Sequence, residues 1–433
     1  MISLSKKNIS KYLLCFFLLL MTIFVMLLNN SGLNNYSTIS IWIGFITNLV
    51  LIFISFYVNG IDFITFYLIC TTALLFPIMI QYFTNSSYGD LSLNLVFLHM
   101  PQLINYNYIY CFLFLLLSII FDYRKKELDL VELRFNNKKN LTIVVNNLVA
   151  VLFTFVAFPR LGFSSSANER FNMLLPGHAW NQLAIVALIF NFPYLRKKTS
   201  VKLTYLFVVS WFLINGERAD ITGLVFGILI YILMKKRGQK DLGKILRVFL
   251  IFLFLFLFLV LLNSIATLRN GQEVTFLSEV KGLLTTPTTS DVGYLFNVAI
   301  DYEQCFGTLK GQLLKANLIS AIPFTSPSGF NTFTEAVKYV NPGGEPILAM
   351  PIMDFGIKGI YFVSILDFLF FRIFVQYKNL FFKYEFILML SSIPRMVWYG
   401  RSYTYSSILF FVPILFIVNY FIDKYSESVK YLV

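Results

Sequence analysis

Six consecutive residues, Asn215-Gly216-Glu217-Arg218-Ala219-Asp220, put two carboxylates and a guanidinium into one short turn between apolar runs. A guanidinium presents its donors in a planar fork that matches phosphate oxygens in pairs. An acid beside it can serve as a base for proton transfer. Gly216 suits a left-handed helix end, and Asp220 suits the cap of the helix that follows. The first turn of that helix offers free N–H groups and the positive end of a dipole. Arg218 beside it would complete a site for a phosphate-bearing ligand. The plainer reading is a turn arginine that pairs with Glu217 or reaches up to lipid headgroups.

Other residues offer related chemistry. Arg160 follows Pro159, Arg170 lies shortly after, and the segment runs on to Pro176-Gly177-His178. Ordinary anchoring at a membrane interface would explain both arginines, while the histidine has a titration range suited to proton transfer. Arg395 and Arg401 bracket Trp398-Tyr399-Gly400, with Tyr403 and Tyr405 beyond. Aromatic rings interleaved with arginine can stack on sugar faces and hold phosphate, and they also make an ordinary interfacial belt. Two arginines so close to a bilayer are the less ordinary part, because placing them there is costly. Asp354 sits in Pro351-Ile352-Met353-Asp354-Phe355-Gly356-Ile357-Lys358-Gly359. An acid at membrane depth is a functional candidate, and a helical pair with Lys358 is the bland alternative. Glu217, Asp220, Glu345, Asp354 and His178 are all open as the base. His99, beside Pro101, has no assigned role.

The elements that must carry these residues are apolar. The 433-residue chain is 58% hydrophobic and 18% aromatic but only 13% charged. Its mean hydropathy is +0.72. Soluble domains carry about 25% charged residues, so one large soluble core is excluded. The apolar runs are continuous, as in Phe249 to Leu262, which excludes the alternation of a membrane β-barrel. The expected fold is therefore an all-α polytopic integral membrane protein of about 12 transmembrane helices. Candidate spans cover 12–28, 39–58, 61–83, 103–121, 141–158, 180–195, 201–215, 220–234, 247–265, 347–371, 385–400 and 405–421.

Most of the 35 Lys and Arg residues fall in alternate gaps: the N-terminus, 122–140, 196–202, 235–247, 372–383 and the C-terminus. Lysine-rich gaps face the cytoplasm, so both termini are expected there and the arginines above face outward. Trp42, Trp180, Trp211 and Trp398 fall near the expected outer ends, where indole rings prefer the interface. The formal charge of +13 follows the same alternation, which argues against nucleic acid as a partner. The chain is expected to form a single membrane domain, 1–433, with the long outer gap 266–346 inserted as a subdomain. Four scattered cysteines and two histidines spell neither a disulfide framework nor a metal site, and no cofactor is expected. The lysines before the first apolar run lack a small-x-small cleavage site, so that run reads as an uncleaved span.

Phe330-Asn331-Thr332-Phe333-Thr334, then Asp354-Phe355-Gly356-Ile357-Lys358-Gly359, is similar to an N-x-F-T … D-F-G-x-x-G pattern. With twelve spans, a long late outer loop and an arginine-bearing turn before the eighth span, the chain resembles the Wzy-type oligosaccharide repeat unit polymerases of bacterial surface polysaccharides. The resemblance covers most of the chain in layout and only these stretches in letters. It implies a glycosyltransferase of the bacterial inner membrane acting on its periplasmic face. Undecaprenyl-pyrophosphate-linked repeats of O-antigen or capsule would be joined, with lipid pyrophosphate as the leaving group and no metal. Implied partners are the lipid-pyrophosphate-linked oligosaccharide, the bilayer and a chain-length regulator protein. Arg218, with Glu217 and Asp354, would do the chemistry; Arg160, Arg170, His178, Asp220, Arg395 and Arg401 would hold substrate. The chain departs from the pattern in its long loop, which holds more acids than bases. An O-antigen ligase and a polysaccharide flippase or transporter are the alternative readings.

Overall fold

The continuous apolar runs fold as helices. The structure is a computed structural model describing residues 13–23, 38–84, 99–121, 141–160, 180–235, 253, 256–265, 267–268, 273–285, 287–325, 327–340, 344–376 and 379–428. The N-terminal lysines, most of the cation-rich gaps 122–140 and 235–247, Arg170 and His178 lie outside the described residues.

In chain order the helices are α1 (Leu13–Ile23), α2 (Thr38–Asn59), α3 (Phe63–Ala73), α4 (Leu75–Thr84), α5 (Met100–Ile120), α6 (Leu141–Ala157) and α7 (Trp180–Asn191). Next come α8 (Thr199–Asn215), α9 (Arg218–Lys235), α10 (Phe256–Ile265), α11 (Phe276–Thr285), α12 (Pro287–Phe306) and α13 (Gln312–Ser320). The last are α14 (Phe330–Ala336), α15 (Ala349–Phe355), α16 (Ile357–Gln376), α17 (Leu380–Tyr399), α18 (Ser402–Ser406) and α19 (Val412–Ser428). A π turn, Ser407–Phe411, joins α18 to α19.

Three of these stretches, Ile41–Asn59, Met100–Ile120 and Ser402–Tyr425, are long and apolar enough to cross a bilayer. Polarity is inverted relative to a soluble protein. Phe53, Leu148, Leu206 and Phe421 point outward, while asparagines pair inside. Asn107 donates to Asn48 at 2.9 Å, and Asn146 donates to Asn419 at 3.0 Å. Side-chain amides joining helices behind an apolar exterior are the signature of packing in lipid. The chain is an α-helical membrane protein.

Helix lengths do not reproduce the twelve expected spans. The run 61–83 is broken at Leu74, between α3 and α4. The run 347–371 is broken at Gly356, whose φ of 59° is a left-handed value that an α-helix does not admit.

The chain divides into two compact units. One comprises 1–127, 285–314 and 329–373; the other comprises 128–284, 315–328 and 374–433. The gap 266–346, expected as a single inserted subdomain, is thus shared between them. Its helices carry apolar faces that are buried within the units: Leu295, Phe296, Val298 and Ala299 of α12 are all buried.

In the first unit, α5 starts at a His99 cap with Pro101 in its first turn, where the missing N–H costs nothing. Phe63, Tyr67, Phe114 and Phe371 form an aromatic core, with Tyr67 and Phe114 centroids 4.7 Å apart. In the second unit, α7 is buried on every side from Asn181 to Asn191, so it is the central helix. Two glycines one turn apart, Gly223 and Gly227, bring α9 against α17. A Cβ on Gly223 would lie 1.9 Å from the Ser391 carbonyl oxygen, and one on Gly227 would lie 2.5 Å from Ser391 Oγ. Only hydrogen fits in that seam, the small-x-x-x-small arrangement of membrane helices.

Candidate functional site

One turn beyond the glycine seam, the second unit gathers its charges. Asp220 precedes Gly223 by three residues and Arg395 follows Ser391 by four, so each shares the face its helix turns to the seam. The backbone contact therefore delivers the two side chains to each other. Arg395 Nη1 donates to Asp220 Oδ2 at 2.6 Å and to Glu217 Oε2 at 3.0 Å.

The turn that carries Glu217 forms as its residue types dictate. Gly216 closes α8 at φ 87°, with its N–H returned to Leu213 and Phe212. Glu217 N–H also bonds the Phe212 carbonyl, at 2.9 Å. This compact stop lets α9 begin at Arg218, three residues earlier than a cap at Asp220 would allow. Asp220 is therefore the third residue of the helix and not its cap. Its carboxylate turns sideways into the unit. It accepts from Asn181 Nδ2 and from Gln182 Nε2, each at 2.7 Å. Ser407 donates in turn to the Gln182 side-chain oxygen, at 3.4 Å. A buried carboxylate met by two amides and a guanidinium is fully satisfied.

Tyrosines complete the enclosure of Arg395. Its guanidinium carbon lies 4.2 Å from the Tyr403 ring centroid and 5.7 Å from that of Tyr399. Arg395 Nε is buried and has no hydrogen-bond partner among the described residues. Arg218 is half-buried at the head of α9. With Glu217, Asp220 and Arg395, it lies within electrostatic reach of the Tyr399 hydroxyl. Arg401 is fully buried at the start of α18. Arg160 is exposed just past the end of α6.

Five of the expected site residues, Arg218, Glu217, Asp220, Arg395 and Arg401, thus sit on the α8–α9 turn, α17 and the start of α18. Asn181 and Gln182 were missed. Their signal was a pair of adjacent amides opening an otherwise apolar run. The Gly223-x-x-x-Gly227 spacing was also legible and marks the helix contact that assembles the centre.

Asp354 belongs to the first unit and has a different occupation. Its oxygens accept from the backbone N–H groups of Leu313, at 3.0 Å, and Leu314, at 2.7 Å. It caps α13 from across the unit. The backbone supports the same join: Leu309 N–H bonds Met353 O at 2.8 Å, and Lys310 N–H bonds Asp354 O at 3.0 Å. The glycines that follow are needed for different reasons, Gly356 for its φ of 59° and Gly359 for close packing. A Cβ on Gly356 would meet Glu303 Oε1 at 2.8 Å, and one on Gly359 would meet the Pro351 carbonyl at 2.1 Å.

His99, given no role from sequence, also joins elements of the first unit. Its Nε2 lies 3.0 Å from Asp301 Oδ1, and its backbone N–H bonds Asn297 Oδ1 at 3.1 Å. The Tyr339 hydroxyl donates to the other Asp301 oxygen. Burial and then the Asp301 carboxylate raise the Tyr339 hydroxyl well above its ordinary range.

No family model, curated protein or solved structure matches the chain.

Proposed function

We propose that the chain polymerises lipid-pyrophosphate-linked oligosaccharide repeats, with the arginine–carboxylate centre of the second unit as the active site. One observation carries this reading: Arg395 binds both Glu217 and Asp220, and Arg218 lies on the same turn, within electrostatic reach of the same Tyr399 hydroxyl. Fixed cations in a site shielded from water stabilise a departing pyrophosphate without a metal. Arg218, on the partly open rim, receives the leaving group. Glu217, with 22% of its side chain exposed, is the acid placed to accept a proton from the acceptor hydroxyl. Asp220 anchors Arg395, and Arg395 holds Glu217 in the ligand-free protein. The resemblance in letters, at Asn331–Thr334 and Asp354–Gly359, supports the family but falls in the first unit. In this reading the chain crosses the bacterial inner membrane about twelve times, with its termini in the cytoplasm and the centre on the periplasmic side.

Purified protein given a lipid-pyrophosphate repeat and a chelator should yield a ladder of lengthening products. Transfer only to a lipid core would replace the polymerase with an O-antigen ligase. No transfer at all would dismiss both.

One observation favours transport as a second reading. Glu385 of α17 is fully buried, and neither of its oxygens has a hydrogen-bond partner among the described residues. Lone acids buried within membrane helices mark ion and proton paths in transporters. Counter-flow of the lipid-linked repeat across sealed vesicles, lost in Glu385→Gln, would establish that reading.

A further inference from the structure

A centre already closed by its own acids must still admit an anion. The two carboxylates on Arg395 are held very differently. Asp220 has 4% of its side chain exposed and is pinned by Asn181 and Gln182 as well as the guanidinium. Glu217 is more open, at 22%, and its carboxylate is held at 3.0 Å by Arg395. Its contact with the guanidinium is also the longer of the two. On the same guanidinium, Nε is buried without a partner among the described residues. An unused buried donor costs free energy until something accepts from it. Arg395 is thus held firmly by one acid, loosely by another, and is short of an acceptor.

We propose that Glu217 is an exchangeable stand-in for the ligand's own anion. A phosphate or pyrophosphate group displaces the Glu217 carboxylate from Arg395 and supplies the acceptor that Nε lacks. Asp220 stays in place, because three donors hold it. Glu217 swings toward the rim beside Arg218, so anion binding and release of this carboxylate are one event. The exchange rests on the anion-binding role proposed for this centre and not on the identity of the acceptor.

Full-length protein in detergent, titrated with inorganic pyrophosphate by calorimetry, tests the exchange. Removing the competing charge in Glu217→Gln should tighten binding by about tenfold, the worth of one charge-assisted hydrogen bond. Unchanged or weaker binding would overturn the proposal. A second measurement needs no variant. Carbodiimide-and-amine labelling of Glu217, read by mass spectrometry, should rise severalfold when pyrophosphate saturates the protein. Constant or falling labelling would overturn it as well.

The same labelling in phosphatidylcholine nanodiscs, with and without phosphatidylglycerol, identifies the source of the anion. A rise with phosphatidylglycerol alone assigns the displacing group to lipid headgroups. A rise only with added pyrophosphate assigns it to a pyrophosphate-bearing ligand. A rise with neither rejects the exchange. Tighter pyrophosphate binding by Glu217→Gln, together with no ladder from wild-type protein, would keep the exchange and dismiss the polymerase.

Discussion

Asp354 and Asp220 are both buried acids on helices of a membrane protein, and they do opposite things with their charge. Asp354 spends both oxygens on main-chain N–H groups at the start of α13. Nothing about that join is left to exchange, and its neighbours are fixed as well, Gly356 by its positive φ and Gly359 by close approach to the Pro351 backbone. Asp220 shares a guanidinium with Glu217, and that guanidinium still has an unused donor. An acid bound only by backbone is part of the fold. An acid that shares a cation with a half-open partner leaves room for chemistry. The contrast lies in the partners and not in depth of burial.

The sharpest way to break this comparison is Arg395→Ala. It leaves Asp220 buried without its cation and should destabilise the second unit by about 3–5 kcal/mol. Thermal unfolding in detergent would show it; a loss below about 1 kcal/mol would mean that Asp220 does not depend on the pair. Asp354→Ala orphans two main-chain N–H groups and should cost about 2–3 kcal/mol. Product length from whatever protein remains folded should be unchanged. Shortened chains would make Asp354 a participant and erase the contrast.

Tyr339→Phe removes one donor from Asp301 and should cost about 1 kcal/mol, read as a modest drop in melting temperature. The pH dependence has a definite sign. The folded state raises the Tyr339 hydroxyl above its unfolded value. Its contribution is therefore complete below about pH 10 and is lost as pH climbs through the higher folded value. An alkaline melt of Tyr339→Phe should converge with wild type. Arg218→Ala should change stability least, by under about 0.5 kcal/mol for a half-buried rim residue, yet it should abolish chain lengthening while protein stays in the membrane. Normal long chains from that variant would remove Arg218 from the site.

The local parts of this centre were legible in the chain. Gly216 as a left-handed stop follows from its residue type, and Glu217, Arg218 and Asp220 from their packing into one turn. The partner was not legible, because Arg395 lies 175 residues from Asp220 and no local spacing connects them. Asp220 was misread as a cap for a related reason. Its side-chain choice was decided by Asn181, Gln182 and Arg395, not by the N–H groups next to it. Asp354 shows the same limit from the other side. Its ligands, Leu313 and Leu314, offer only backbone, which carries no mark in the residue letters. Two expected spans are each divided by a turn, at Leu74 and Gly356, because hydropathy averages across a single residue and carries no mark of such a break.

The bare seam between Gly223, Gly227 and Ser391 has a consequence for tolerance to change. With no side chain between the two backbones, the spacing of the helices has no adjustable spacer. Substituents larger than hydrogen there would jack the pair apart and carry Asp220 away from Arg395. The rim, by contrast, hangs on a turn and can be rewritten. Under the proposed polymerase reading, variants seeking an altered preference for the transferred group should therefore randomise 217 and 218 and leave the glycines alone.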